Sequence, residues 1–155
     1  MTELNKENNI KDKVSAKFKF MDGKIVVKRA RRIYADVELS NFRAVFEYLA
    51  KDMEFIRICM ITGFDEGDNF GLMYHLTDDK GMMFDLKTYA PKTNPVIKTI
   101  IDIFPGAVLY ERELVDMFGV KVDGLPEGER YPLPDGWPEG QYPLRKDWNR
   151  DMLKD

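Results

Sequence analysis

Hydrophobic and polar positions change period several times along the chain, and each change predicts an element. Residues 1–13 are polar and carry no period, which predicts a frayed N-terminal segment. From Val14 the pattern alternates, with Val14, Ala16, Phe18 and Phe20 opposite Ser15, Lys17 and Lys19, the signature of a half-buried strand. Met21-Asp22-Gly23 predicts a turn, after which Ile25-Val26-Val27 returns and residues 31–37 form a further strand with Ile33, Ala35 and Val37 on one side. Ser40 is placed to cap a helix whose Phe42, Val45, Phe46 and Leu49 recur at helical spacing.

Residues 54–62 are almost continuously apolar and predict a central strand buried on both faces, with Cys59 inside it as an inert thiol. Residues 63–68 then make a hairpin loop. Phe70, Leu72, Tyr74 and Leu76 alternate with smaller or polar residues, and Met82, Phe84 and Leu86 do so again after a short polar loop. Three strands joined by short loops predict an antiparallel meander. Asn94-Pro95 reads as a helix start, with Val96, Ile97, Ile100, Ile101 and Phe104 as its apolar stripe. A second helix over residues 107–118 is stopped by Gly119.

Beyond Gly119 periodicity vanishes. Five of the eight prolines and five of the eleven glycines fall in residues 119–143, yet Tyr131, Trp137, Tyr142 and Trp148 lie among or just beyond them. Disordered tails are poor in aromatics, so this stretch predicts an ordered strap whose rings need a surface. The resulting division is a frayed segment over 1–13, an α+β domain over 14–119 with an antiparallel-rich sheet and helices on one face, and an extended docking arm over 120–155.

Composition narrows the function. A net charge of −3 excludes a strong overall basic field. The charge is uneven, however: residues 1–32 hold ten Lys and Arg against four acids, leaving −9 for the rest. That asymmetry suggests a basic strand pair facing water or an acidic neighbour; without a glycine-rich loop or stacking aromatics it is a weak nucleic-acid signal. No apolar run reaches the length of a membrane span and the polar start has no signal-peptide core, so a cytoplasmic location is expected. One cysteine and one histidine, Cys59 and His75, cannot supply the soft ligands of a zinc site or an iron–sulfur cluster. Any metal is expected to belong to a partner.

Candidate chemistry gathers at the second helix and the strap. At 100° per residue, Glu111 falls in the middle of the apolar side formed by Ala107, Tyr110, Leu114, Val115, Met117 and Phe118. A carboxylate there must find an ion partner or backbone N–H groups, and so fix how the helix meets the strap. Arg112, Glu113 and Asp116 share the opposite side with Leu109, where Arg112 and Asp116 are spaced to pair. Glu111 with Glu113 as an acid/base couple for hydrolysis is disfavoured, because residues two apart on a helix diverge by about 200°. There is no phosphate loop, dinucleotide fingerprint or Ser/His/Asp ordering, and His75 reads as a hydrogen-bonded sheet residue. The residues alone describe a binding module; a carboxylate hydrolase and a basic-hairpin nucleic-acid binder remain the alternatives from other classes.

The run Glu111-Arg112-Glu113-Leu114-Val115-Asp116-Met117-Phe118-Gly119-Val120, followed by Gly124-Leu125-Pro126, Arg130, Pro134-Asp135-Gly136-Trp137 and Tyr142-Pro143-Leu144-Arg145-Lys146-Asp147-Trp148, resembles the 30 kDa subunit family of respiratory complex I. That family includes counterparts in membrane-bound energy-converting hydrogenases. Two departures stand out: Leu125 where the family usually has His or Lys, and Glu129 where an arginine is common. Together with the lone Cys59 and lone Gln141 they are closer to the compact hydrogenase-type relatives than to a mitochondrial or aerobic bacterial subunit; the alternatives within the family are a quinone-reducing complex I homologue and a sulfur-reducing relative. The resemblance implies a non-catalytic, cofactor-free subunit of the hydrophilic arm on the cytoplasmic side of the membrane, in a complex that couples electron transfer to ion translocation. It would pack on a large nickel-iron or quinone-site subunit and a small iron–sulfur subunit, with no nucleic acid involved. Trp137, Leu144 and Trp148 are then candidate anchors and Arg145 and Lys146 candidate salt-bridge donors to partner carboxylates, with Tyr142 and Asp147 counted among the interface residues.

Overall fold

The computed structural model describes residues 4–153. Its elements, in chain order, are α1 (Asn5–Lys17), β1 (Ile25–Arg29), β2 (Arg32–Asp36), α2 (Leu39–Lys51), β3 (Arg57–Asp65), β4 (Asn69–Thr77), β5 (Met83–Pro91), β6 (Val96–Lys98), α3 (Val108–Phe118) and β7 (Lys121–Asp123), with single turns of 3-10 helix at Lys19–Met21, Pro105–Ala107 and Arg150–Leu153. Five strands form one sheet in the order β1-β2-β5-β4-β3, and β6 pairs with β7 separately. The fold is α+β with a mostly antiparallel sheet, as the pattern predicted. The exception is β2, which runs parallel to β5 with Ile33 opposite Phe84 and Ala35 opposite Leu86.

The chain divides into two compact units, one built on residues up to Met60 together with Met73–Thr88, the other on Ile61–Leu72 together with the chain from Tyr89 onward. In the first unit α2 lays Phe42, Val45, Phe46 and Leu49 into the core, all four buried. The rings of Phe42 and Phe46 meet Tyr74 at 4.5 and 5.5 Å, and Phe55 meets Phe84 edge-on at 5.7 Å. Glu38, not Ser40, sits at the N-cap of α2, and no side chain caps it. The β1–β2 hairpin turns at Ala30-Arg31. Opposite the core, Asp85 is buried and takes Arg32 Nε at 2.7 Å and His75 Nδ1 at 2.6 Å, so His75 is a hydrogen-bonded sheet residue. Burial works to raise the Asp85 carboxyl, but the His75 and Arg32 bonds outweigh it and hold it below its ordinary range.

Three predicted elements are corrected. Residues 5–17 form a helix where a frayed segment and a strand starting at Val14 were expected. The face it buries is Glu7 and Val14, seven residues apart, which is helical spacing carried by one acid and one aliphatic. The alternation at Val14–Phe20 was coincidental: Phe18 ends the helix and Met21, not Phe20, is buried. The helix expected to start at Asn94-Pro95 is instead β6, whose Val96, Ile97 and Lys98 pair in parallel with Lys121, Val122 and Asp123 of β7. Its β-branched residues accept either structure locally, and the pairing partner lies beyond α3 in the chain. Finally, β3 is the last strand of the sheet rather than a central one, with Met60 about half exposed, Cys59 exposed and Ile56, just before the strand, also about half exposed.

Candidate partner interface

α3 and the chain after it belong to the second unit, and their geometry follows from the unsatisfied groups at the end of a helix. Val108–Phe118 is helical and Gly119 closes it at φ 69°, the left-handed conformation that favours glycine. Its N–H returns to Val115 O at 2.9 Å. The carbonyls of Met117 and Phe118 have no partner within the helix, and the strap supplies both. Leu144 N–H reaches Met117 O at 3.2 Å, and Arg145 Nε reaches Phe118 O at 2.6 Å. A guanidinium at this end also meets the negative pole of the helix. It lies 4.3 Å from the centre of the Tyr142 ring and 5.0 Å from that of Phe70. A Cβ on Gly119 would come within 2.5 Å of the Tyr142 ring and 2.6 Å of Arg145 Nη2, so glycine is required for close approach as well as for its backbone angle.

Two buried carboxylates hold the strap elsewhere. Asp116, 6% exposed, takes Arg130 Nε at 3.4 Å and Leu133 N–H at 3.2 Å, and Arg130 Nη1 continues to Trp137 O at 2.7 Å. The expected Arg112–Asp116 pair is therefore not formed; Arg112 lays its guanidinium against Gly128 instead. Asp65, at the end of β3, takes Lys146 N–H at 2.8 Å, Lys92 Nζ at 2.7 Å and Gly67 N–H at 3.0 Å. Burial pushes the Asp65 carboxyl up, but these donors outweigh it and hold it at about 2. Two residues earlier in β3, Gly63 admits α3, since a Cβ there would meet the Phe118 ring at 2.5 Å.

Glu111 is fully buried, as the helical projection required. Its partners are the Thr99 hydroxyl at 2.6 Å and Ile100 N–H at 2.7 Å, so it fastens α3 to the segment after β6 and not to the strap. Burial raises its carboxyl above the ordinary range, the two hydrogen bonds oppose this, and Asp102 adds to it. Glu113 is half-buried and takes no part in this network.

The rings expected to need a surface are only partly covered. No described residue after Val122 is buried, Trp137, Tyr142 and Trp148 are intermediate, and Leu144, Met152 and Tyr131 are 51%, 48% and 42% exposed. Gln141 holds the two indoles: Trp137 Nε1 donates to its backbone oxygen and Trp148 Nε1 to its side-chain oxygen, both at 2.8 Å, with the ring centres 6.0 Å apart. The strap is thus not a free arm but a pinned loop that leaves several apolar side chains partly uncovered among exposed charged ones. Arg145 is spent on internal bonds, whereas the side chains of Lys146 and Asp147 are exposed. Asp65, Lys92 and Gln141 were not predicted as site residues. The only signal for Asp65 was its place in a Gly/Asp-rich loop, and the one for Gln141 was a lone amide between two tryptophans.

Among the described residues no helix is long and apolar enough to cross a membrane, and no group of three or more His, Cys, Asp or Glu side chains could hold a metal ion.

Comparison with known proteins matches residues 35–152 to the family described as the 30 Kd subunit of respiratory-chain NADH dehydrogenase. The chain is 30% identical over 139 residues to the membrane-bound hydrogenase subunit beta of Pyrococcus furiosus, covering 84% of this chain and 80% of that protein. It is 32% identical over 120 residues to a subunit of the F(420)H(2) dehydrogenase of Methanosarcina mazei, covering 76% and 75%. A chain in the solved structure of the membrane-bound sulfane sulfur reductase, an archaeal respiratory membrane complex, superposes with a TM-score of 0.83 at 28% identity, over 96% of this chain and 89% of that one. A trypsin-resistant fragment of Nqo5 shares the fold, with a TM-score of 0.64 at 24% identity, over 78% and 98%. The matched span contains α3, Gly119 and nearly all of the strap that they hold, and the chain belongs to the family of the 30 kDa subunit of respiratory-chain NADH dehydrogenase.

Proposed function

We propose that this chain is a non-catalytic, cofactor-free subunit of a membrane-bound, ion-translocating redox complex, most closely of the energy-converting hydrogenase type and driven by ferredoxin. In this reading it sits on the cytoplasmic side of the membrane. It assembles with a large subunit that holds the nickel-iron centre and a small subunit that holds iron–sulfur clusters. Similarity to a membrane-bound hydrogenase subunit supports the hydrogenase form. The superposition on a sulfane sulfur reductase chain supports a second reading, the equivalent subunit of a sulfur-reducing complex.

The observation that carries the proposal is the combination found in the strap: it is fixed from within by Asp116, Asp65 and the carbonyls of α3, while Leu144, Met152 and the Trp137–Trp148 pair are left partly or largely uncovered. Pre-ordered aromatic and aliphatic side chains are what an interface core uses, because their conformational entropy is already lost before binding.

The test is affinity purification of the tagged chain from its own cells. The expected result is co-purification of a large and a small redox subunit, lost in Leu144→Glu combined with Met152→Glu while the purified variant melts as the parent does. Retention of both partners by that variant would overturn the docking role of the strap. Hydrogen evolution from reduced ferredoxin by the purified complex separates the first reading from the second, for which reduction of polysulfide is the expected activity.

A further inference from the structure

In the first unit, α1, the tip of the β1–β2 hairpin and the loop before β5 enclose an open cleft of about 610 Å3. Its volume is in the range of ligand sites. Leu4, Ile10 and Met82 supply apolar lining, and Lys6, Arg31 and Lys80 supply cations. The two acids of the cleft are already engaged. Glu7, 5% exposed, accepts Arg31 N–H at 2.7 Å and so holds the hairpin tip, where Arg31 has φ 60°. Asp78 Oδ1 accepts the N–H groups of Lys80 and Met82 at 2.9 and 2.7 Å. The charges of Lys6 and Arg31 act on the Glu7 carboxyl from the rim, and Lys80 is exposed there.

Positive charge predominates around the cleft, although Asp12 and Asp79 are exposed on the same helix and loop. Lys13, Lys24, Lys28 and Arg29 are exposed on the same helix and hairpin, within the stretch that carries a surplus of six positive charges. That field is wider than a small anion requires, and it surrounds an apolar recess, which neither a nucleic-acid backbone nor a bilayer headgroup layer would fill. Cations at a rim around an apolar recess match a polypeptide that presents carboxylates on either side of an apolar side chain. We propose that this cleft seats an acidic segment of another polypeptide, its carboxylates meeting Lys6, Arg31 and Lys80 and one apolar side chain lying among Leu4, Ile10 and Met82.

The probe is a short fluorescein-labelled peptide of Glu and Asp flanking a central Leu-Phe pair, read by anisotropy on the full chain. Binding that weakens with salt is expected. Lys6→Glu with Lys80→Glu should lower affinity by about tenfold or more. Lys24→Glu with Lys28→Glu, the same charge change outside the cleft lining, should lower it by less than about threefold. All four lysines are exposed, so neither pair threatens folding. Replacing the Leu-Phe pair of the peptide by two serines should also weaken binding. The proposal is overturned by any of four results: no binding, equal losses for the two lysine pairs, indifference to the serine peptide, or tighter binding of the chain to duplex DNA or phosphatidylglycerol vesicles than to the peptide. None of these outcomes bears on the strap, whose variants are read by co-purification.

Discussion

The core of the first unit and the strap of the second are both rich in aromatic rings, but they are held by different forces. In the core, Phe42, Phe46, Phe55, Tyr74 and Phe84 are at most 5% exposed and stabilise by area removed from water and by ring contacts. In the strap no ring is buried, and order comes from a few directional bonds to Asp116, Asp65 and the carbonyls that end α3. A core held by area consumes its apolar surface. A loop held by hydrogen bonds keeps its apolar surface available, which is the property a docking element needs.

The contrast can be broken at either end. Phe46→Ala removes a fully buried ring and should cost about 3–5 kcal/mol, read as a shift of the urea midpoint. A loss below about 1 kcal/mol would mean the first unit is not organised around that ring. Asp65→Asn should cost less, roughly 1–3 kcal/mol, since it removes a charged acceptor of three donors. Its pH dependence has a definite sign. The folded carboxyl titrates at about 2, below the ordinary 3.8, so its contribution is fully present above 3.8 and is lost as pH falls through about 2. The parent and Asp65→Asn should therefore converge in stability across that window, and parallel acid-unfolding curves would remove Asp65 from the account. Gly119→Ala should cost about 1–2 kcal/mol through its left-handed backbone and displace Tyr142 and Arg145. Greater quenching of the strap tryptophans by acrylamide is the expected readout; unchanged quenching would mean that the strap does not depend on this contact. Leu144→Glu, at a half-exposed site, should change stability by less than about 0.5 kcal/mol, so its effect falls on assembly alone.

Family membership and the local logic of α3 were legible because both depend on neighbours in the chain. Phe42, Val45, Phe46 and Leu49 sit on the buried side of α2, Gly119 closes α3 in the left-handed conformation, and Glu111 is buried on the apolar side. These follow from helical periodicity and from the steric freedom of glycine, which act over a turn or two. The short loops among β3, β4 and β5 likewise announced a meander.

What tertiary structure alone decided was the choice of partner. Residues 96–98 became a strand because β7 offers a parallel edge on the far side of α3, and the helix over residues 5–17 is seated by Glu7 on the N–H of Arg31 and by buried Val14. The apolar run of β3 lies at a sheet edge because strand order is set by pairings between distant segments. Asp116 and Asp65 face the strap for the same reason. Periodicity along a chain reports which side of an element is apolar, whereas hydrogen-bond partners far apart in sequence are selected only when the folded chain brings competing donors and acceptors together.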